Sequence, residues 1–510
     1  MSDSLHQSSH AYSSHPQSLD LKAAAKRVMV ENGFETEFPP AVLREIAQLA
    51  LHPDWLSGDD GSAKAIQDLR GLFWSSIDND TSRDLDQVEV AERLPNGDIK
   101  VQVGIADVDA FVAKDSAIDQ HAAHQTTSVY TGVQMFPMLP EQLSTGITSL
   151  LEAADKIAVV IEFVVGANAS FDGEVVSSNI YRALIRNKAQ LTYNAVGTWL
   201  ETPSAATVPA KVAASPELEA QLKLQDEAAQ RLRKQRYRRG ALDIETIEVR
   251  PTMHDEQVTG LVKQEKNRAT ELIEDFMIAA NGVVARMLQE KKVSSIRRVV
   301  KTPERWDRIV QLAADQGGNL PSEPDSKSLN EFLTQRKSAD PDHFADLSLA
   351  VIKLMGPGEY VLERPGDPEQ GHFGLAVLDY THSTAPNRRF ADLVTQRLIK
   401  ATLSGKPSPY SDDELDAIAR NCTAKEDAAR KVERQMAKRI AAVVMSSRIG
   451  ETFDAMVTGV TPKGTFVRIL QPHAEGLLAQ GQQGVDVGDR LKVKLIRTDV
   501  ERGFIDFARA

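Results

Sequence analysis

Three aspartates, Asp78, Asp84 and Asp86, stand at D-x5-D-x-D spacing in 76-SIDNDTSRDLDQ-87. Carboxylates gathered from such a run can hold a hard cation, because Mg²⁺ takes oxygen ligands and commonly shares them with substrate phosphates. The spacing also suits a Ca²⁺ loop: Asp78, Asp80, Ser82, Asp84, Asp86 and Glu89 fall at positions 1, 3, 5, 7, 9 and 12 of an EF-hand. Two features speak against that loop. Arg83 stands where the sharp turn requires glycine, and a β-hairpin follows where the EF-hand needs a helix. A solvated acidic turn is the third reading of this segment taken alone.

The elements that must position the run are legible around it. VEVAERL and DIKVQVGIADV alternate apolar and polar residues across Pro95-Asn96-Gly97, a strong hairpin signal. Residues 21–51 read helical on both sides of a break at Pro39-Pro40. Long helical patterns occupy residues 269–289 and 416–445, and the segment 201–219, rich in Ala and Pro, reads as a surface loop. From Gly450 the chain changes character: FDAMVTGV, GTFVRIL, RLKVKLIRT and GFIDFA are β-branched runs between Gly, Pro and Asp turns, which predicts a small β-barrel.

Composition narrows the class. With 510 residues the chain is long enough for two or more domains, and its single cysteine, Cys422, excludes an intrachain disulfide framework. No apolar run suits a membrane span, and no secretion signal opens the chain, so a reducing, cytoplasmic setting is expected. The first 20 residues, with seven Ser and with His6, His10 and His15, read as a disordered tail to which no metal is assigned. A net charge of −12 argues against a global nucleic-acid coat but leaves room for a local basic channel. Basic residues do cluster, six in 231-RLRKQRYRRG-240 and seven against three acids from Asn421 to Arg448, although either run alone reads as a solvated helix face.

Further motifs decide between the readings. The acidic run resembles the catalytic motif of the RNB domain, the nuclease domain of the ribonuclease II and ribonuclease R family, where four Asp follow a buried strand as D-x5-D-x-D-D. Asp78, Asp84 and Asp86 match the first three, and Gln87 stands at the fourth. In the family's order there follow 128-SVYTGVQMFPMLPEQLS-144, 238-RRGALDIE-245, 272-LIEDFMIAAN-281 and 371-GHFGLAVLDYTHSTAPNRRFADL-393. The last is similar to HFGLA followed by YTHFTSPIRRYADL, with Ala385 and Asn387 in place of the usual Ser and Ile. Then comes 432-VERQ-435, whose Glu433 matches an active-site Glu. The resemblance runs from Phe73 to about Met445, and the β-rich tail resembles the OB-type domain that follows it in this family.

The resemblance implies an α+β chain: a helical segment over 21–70, an RNB catalytic domain over 71–447 with a mixed β-sheet core and surrounding helices, and an OB-type RNA-binding barrel over 448–510. The cold-shock domains that usually precede the nuclease domain are expected to be absent. The implied activity is 3′→5′ hydrolysis of single-stranded RNA to 5′-mononucleotides, with Mg²⁺ or Mn²⁺ and no small-molecule organic cofactor or membrane. Asp78, Asp84 and Asp86 are the implied metal ligands, with Gln87 contributing an uncharged oxygen. Asp86 also positions the attacking water, and Arg388 stabilises charge on the phosphate. Arg389 would position the neighbouring nucleotide, Tyr130 would stack on a base, and Glu433 would orient Arg388 or the terminal ribose. In the barrel, Phe466, Arg468, Lys492 and Lys494 are candidate RNA contacts, with barrel core the favoured reading for Phe466. Gln87 favours one alternative, an RNB-fold RNA-binding protein with weak or no catalysis.

Overall fold

The structure is a computed structural model that describes residues 20–49 and 66–510, apart from residues 169, 205, 246–247, 255–256, 265, 369 and 470. The expected tail lies outside the described residues except for Asp20, whose carboxylate accepts from Ala23 N at 2.9 Å and caps the first helix. Helices α1 (Leu21–Glu31) and α2 (Pro40–Leu49) flank the Pro39-Pro40 break. α1 buries Ala25 and Met29 in one apolar cluster with Val432 and Met436, and α2 buries Val42 and Ile46 in the main core.

The main sheet contains β1 (Gln67–Asp68), β2 (Trp74–Asp78), β3 (Gln87–Arg93), β4 (Ile99–Ala106), β7 (Asp155–Val165) and β8 (Val175–Thr192), in the order β1-β8-β2-β3-β4-β7. β1 already belongs to it, pairing with β8 at Gln67 and Asp68, so the sheet reaches back into the segment expected to be helical. The β3–β4 hairpin turns where the sequence predicts: Gly97 takes φ +87°, and Asn96 and Asp98 bond each other across it. β8 pairs with β7 over residues 175–186 and with β2 over residues 187–192, so one long strand ties both ends of the β2-β3-β4-β7 run. A short ribbon of β5 (Val129–Tyr130) and β6 (Met135–Phe136) stands apart from this sheet.

α3 (Ala117–Gln125), α4 (Tyr193–Glu201), α5 (Ala210–Ala213), α6 (Pro216–Arg239) and α7 (Arg268–Glu290) follow along the chain. The predicted loop over 201–219 is thus interrupted by α5 and closed by the start of α6. β2 meets β3 only at Ser75 and Glu89, and α6 covers the backbone left open. Gln221 accepts from Ala91 N at 2.9 Å and donates to Ala91 O at 2.8 Å, and Gln225 donates to Glu89 O at 3.4 Å. α6 ends at Gly240, φ +99°, where a Cβ would come within 2.7 Å of the Lys327 backbone.

The basic run on α6 is spent within the fold. Arg233 and Arg236 bind the buried Asp275 of α7, Arg231 pairs with Glu227, Lys234 and Arg238 with Asp172, and Arg239 with Glu174. Two further ribbons, β9 (Glu248–His254) with β10 (Gln257–Gln264) and β11 (Ser295–Val299) with β12 (Glu359–Glu363), and the satellite helices α8 (Trp306–Asp315), α9 (Ser326–Ala339) and α10 (Pro341–Met355) complete the periphery.

α11 (Phe390–Leu403) and α12 (Asp412–Ser446) close the domain. α11 is bolted down by Arg397, whose side chain is 3 % exposed. Its guanidinium reaches Asp109 at 2.9 Å and Asp119, Tyr410 Oη and Val112 O at 2.7 Å each. α12 carries Ala442 and Met445 into the core of a closed barrel of β13 (Thr452–Thr461), β14 (Gly464–Ile469), β15 (Ala474–Gln480), β16 (Arg490–Asp499) and β17 (Phe504–Arg509). Among the described residues no helix is long and apolar enough to cross a membrane.

Arg397→Met should cost about 3–5 kcal/mol, because it strands the buried carboxylate of Asp119 without its partner. Urea unfolding of the metal-free chain would measure it, and a loss under about 1 kcal/mol would show that the bolt is dispensable.

Candidate active site

β2 delivers Asp78 to the sheet's end, where its Oδ1 accepts from Asn79 N at 2.7 Å and Ser82 Oγ at 2.6 Å. The carboxylate thereby folds the start of the loop back on itself. The rest of the loop is strapped down. Ser149 Oγ donates to Arg83 O at 2.6 Å and accepts from Leu85 N at 3.0 Å, Leu150 N donates to Leu85 O, and Ala106 N donates to Asp86 O. With Leu85 fully buried between them, Asp84 and Asp86 are held in an extended segment that continues into β3. No helix follows, so the EF-hand reading fails on geometry.

Asp86 is 1 % exposed. Its Oδ1 accepts from Asn387 N at 3.0 Å, and its Oδ2 lies 3.4 Å from Arg388 Nε without forming a hydrogen bond. Burial pushes its pKa up to about 7, against the pull of Arg388 and the Asn387 N–H. Burial likewise raises Asp84, and Asp78 adds to the rise.

Arg388 and Arg389 close a turn in which both backbone N–H groups donate to Ala385 O. Arg389 grips Asp392 through Nε at 2.8 Å and Nη2 at 2.7 Å, which fixes it to the first turn of α11. Arg388 is left half-exposed at 48 %. Asn387, one of the departures from the family pattern, accepts at Oδ1 from Thr148 Oγ1 at 2.6 Å, and its backbone serves Asp86.

The same turn brings in Tyr130. Ser128 N donates to Arg388 O at 2.9 Å and Phe390 N to Thr126 O at 2.8 Å, so residues 126–128 run alongside 388–390. Tyr130, 44 % exposed, extends its hydroxyl to Asp84 Oδ2 at 3.3 Å. Glu433, on α12, was expected to orient Arg388 or the terminal ribose. Its Oε1 accepts from the Tyr130 backbone N at 3.4 Å, so it steadies the tyrosine strand and makes no bond to Arg388. Asp86, Asp84, Tyr130, Arg388 and Glu433 thus form one continuous set, with Gln87 buried at the start of β3.

These side chains suit a divalent cation by their chemistry. The donors are oxygens, Asp78 repels Asp84 and Asp84 repels Asp86, and the buried Asp86 Oδ2 lacks a hydrogen-bond partner. Among the described residues, however, no three His, Cys, Asp or Glu side chains stand close enough to form a finished metal cage.

Sequence reasoning placed the barrel residues less well. Val467 and Ile469 fill the barrel core, whereas Phe466 and Arg468 alternate outward and are partly exposed. Arg468 pairs with Asp346 of α10 and so joins the barrel to the nuclease domain. Lys492 pairs with Asp454 at 3.0 Å on the surface. Two neighbours of the site were missed: Tyr193 had no motif to mark it, and Glu89 figured only as the twelfth position of the rejected Ca²⁺ loop. Tyr193 opens α4, where burial first, then the charges of Asp78 and Glu89, hold its phenol above the ordinary range. Glu89 is entirely buried one strand position beyond Val88.

Residues 66–405 match the RNB domain, and residues 451–510 match the RNase II-type exonuclease C-terminal S1 domain. Ribonuclease R of Thermotoga maritima is 31 % identical over 96 % of this chain and 70 % of its own length. Ribonuclease R of Escherichia coli is 28 % identical over 86 % of this chain. The chain spans 56 % of Ribonuclease R 1 of Lactococcus lactis and 58 % of Ribonuclease R of Vibrio parahaemolyticus, little more than half of their lengths. Among solved structures, the apo form of Mycoplasma genitalium RNase R superposes with a TM-score of 0.83 at 25 % identity, covering 96 % of this chain and 78 % of that one. Yeast Ssd1, a pseudonuclease, shares the fold with a TM-score of 0.68 at 15 % identity over 93 % of this chain and 58 % of that one. On the extent of these matches, from the nuclease sheet through the terminal barrel, the chain belongs to the RNB-domain family of RNase II-type exonucleases.

Proposed function

We propose that the chain is a hydrolytic 3′→5′ exoribonuclease that shortens single-stranded RNA to 5′-mononucleotides with Mg²⁺ or Mn²⁺. The observation that carries this reading is the pairing of a buried, under-bonded Asp86 carboxylate with a half-exposed Arg388 beside Asp84 and Tyr130. Asp78, Asp84 and Asp86 would hold the cation, with Gln87 lending an oxygen. When bound, such an ion supplies Lewis acidity and a hydroxide nucleophile to an in-line displacement at phosphorus.

The chain's own groups do the rest. Arg388 meets the phosphate with a planar fork and stabilises the charge that grows on its oxygens in the transition state. Its own orientation is set by Asp86, which sits beneath it. Tyr130 offers an exposed ring on which a base near the 3′ end stacks, without regard to sequence because every base has a π-face. Glu433 acts through the Tyr130 backbone and is a positioning residue. Arg389, committed to Asp392, orders the turn that presents Arg388. The cytoplasm, a reducing compartment, accords with the single, buried Cys422.

The scaffold reading, RNA binding without turnover, is favoured by Gln87. One assay separates the two. Incubation of 5′-labelled single-stranded RNA with Mn²⁺ should give a ladder that shortens to a small limit product and stops in EDTA. Binding without shortening would establish the scaffold.

Asp86→Asn should abolish mononucleotide release while leaving RNA binding and folding intact. Arg388→Ala should lower kcat by about 10²–10³-fold with a smaller effect on KM. A change confined to KM would mean that Arg388 binds ground and transition states alike.

Asp86 also predicts a pH effect on stability. Its pKa is raised in the folded, metal-free chain to about 7. Its contribution is therefore fully present below the unfolded value of about 3.9 and is lost as pH rises through about 7. Asp86→Asn should raise the Tm of the EDTA-treated chain at about pH 8, with the gain fading by about pH 4. An equal Tm difference at both pH values would show that Asp86 does not titrate as described.

A further inference from the structure

Two adjacent hydroxyls reach the two segments that meet at Asp86. Ser149 holds the acidic loop at Arg83 O and Leu85 N. Thr148 reaches the arginine turn instead, with its Oγ1 2.6 Å from Asn387 Oδ1 and 2.8 Å from Leu143 O. Both follow the short helix Gln142–Ile147, whose last two carbonyls, Gly146 O and Ile147 O, accept from Lys156 Nζ of β7 at 2.6 and 2.8 Å. The main sheet thus anchors the segment from which Thr148 and Ser149 act. Thr148 and Asn387 are both buried, so water does not compete for their bond. Asn387 Nδ2 has no partner among the described residues, and the Thr148 hydroxyl has one proton for two acceptors. All donors are matched when the amide is turned, with Nδ2 donating to Thr148 Oγ1 and Thr148 donating on to Leu143 O. In either setting the tie is one directional bond between residue 148 and the arginine turn.

Asn387 stands where the family pattern has Ile, which would hold the turn by packing alone. A half-matched buried amide costs stability relative to an apolar side chain, but it fixes a direction. Direction matters here, because the Asn387 N–H makes the only hydrogen bond to the Asp86 carboxylate among the described residues, and Arg388 follows it in the chain. We propose that Asn387 is a positioning residue for the reaction: tied to Thr148, it keeps its own N–H on Asp86 and sets where Arg388 emerges over that carboxylate. The inference rests on the exonuclease reading given above and deepens it. The tie lies beneath the site and touches no substrate, so its loss displaces the reacting groups while leaving the RNA contacts in place.

Steady-state kinetics of the full-length chain on 5′-labelled single-stranded RNA in Mn²⁺, with the Tm of each variant measured alongside, tests this. Thr148→Val should lower kcat by about tenfold or more with KM within about twofold, since a misplacement of about 1 Å suffices for such a loss. Thr148→Ser, which keeps the hydroxyl, should retain kcat within about twofold of the wild type. Asn387→Ile should lose as much kcat as Thr148→Val while its Tm stays level, because the Thr148 hydroxyl still has Leu143 O. The double variant Thr148→Val/Asn387→Ile should lose no more kcat than either single change, because the two share one interaction. It leaves neither side chain of the pair unmatched, so it is the deciding variant if a single change does not fold. A wild-type kcat in the double variant, equal losses in Thr148→Ser and Thr148→Val, or a change confined to KM would overturn the proposal. If the wild type shortens RNA when any of these is observed, the inference fails and the proposed function stands. If the wild type does not shorten RNA at all, both fall together.

Discussion

The carboxylate of Asp86 joins two parts of the chain that lie 301 positions apart, and the site exists because of that junction. Burying an anion is tolerable only where its oxygens are matched. Here one oxygen has the Asn387 N–H and the other has only the flank of Arg388. The fold must therefore hold both sides rigidly. It does so on one side with the Ser149 strap and β4, and on the other with the Asp392 and Arg397 attachments of α11. The incomplete matching of Asp86 is what a cation or a substrate contact would relieve.

The arginine turn distributes this constraint. Its backbone serves Asp86 through Asn387, pairs with residues 126–128 on the way to Tyr130, and leads directly into α11. The exposed ring, the exposed guanidinium and the buried carboxylate are consequently parts of one ladder. Glu433 adds a clamp from α12 at the Tyr130 backbone, and the same helix runs on into the barrel core. A displacement of the barrel would thus be felt at the tyrosine strand through a continuous helix.

What was legible in the sequence follows the range of the interactions involved. The hairpin at Pro95-Asn96-Gly97, the helix over 268–290 and four of the barrel strands are set by local turn chemistry and periodicity and form where these predict, whereas β15, AEGLLAQ, carries no β-branched run to mark it. The site's members were legible as motifs, but their partners were not. Glu433 goes to a backbone N–H contributed from 303 residues away, which no spacing on α12 encodes. Arg468 reads as a free cation until α10 supplies Asp346, and the α6 cations read as a solvated face until acids from several other segments neutralise them. Phe466 differs in that its register was the open question, and Val467 and Ile469 took the inward positions. Glu89 was hidden by pattern: polar residues alternating with Val read as a solvent-facing row, yet α6 covers that row.

Glu89 also shows why the acidic run can mimic a Ca²⁺ loop and be something else. In an EF-hand the twelfth residue returns to the ion because the loop closes into a helix. Here the chain leaves the loop as a central strand, and the same residue is carried inward beneath Gln225. Spacing in sequence is therefore ambiguous between the two, and backbone geometry decides.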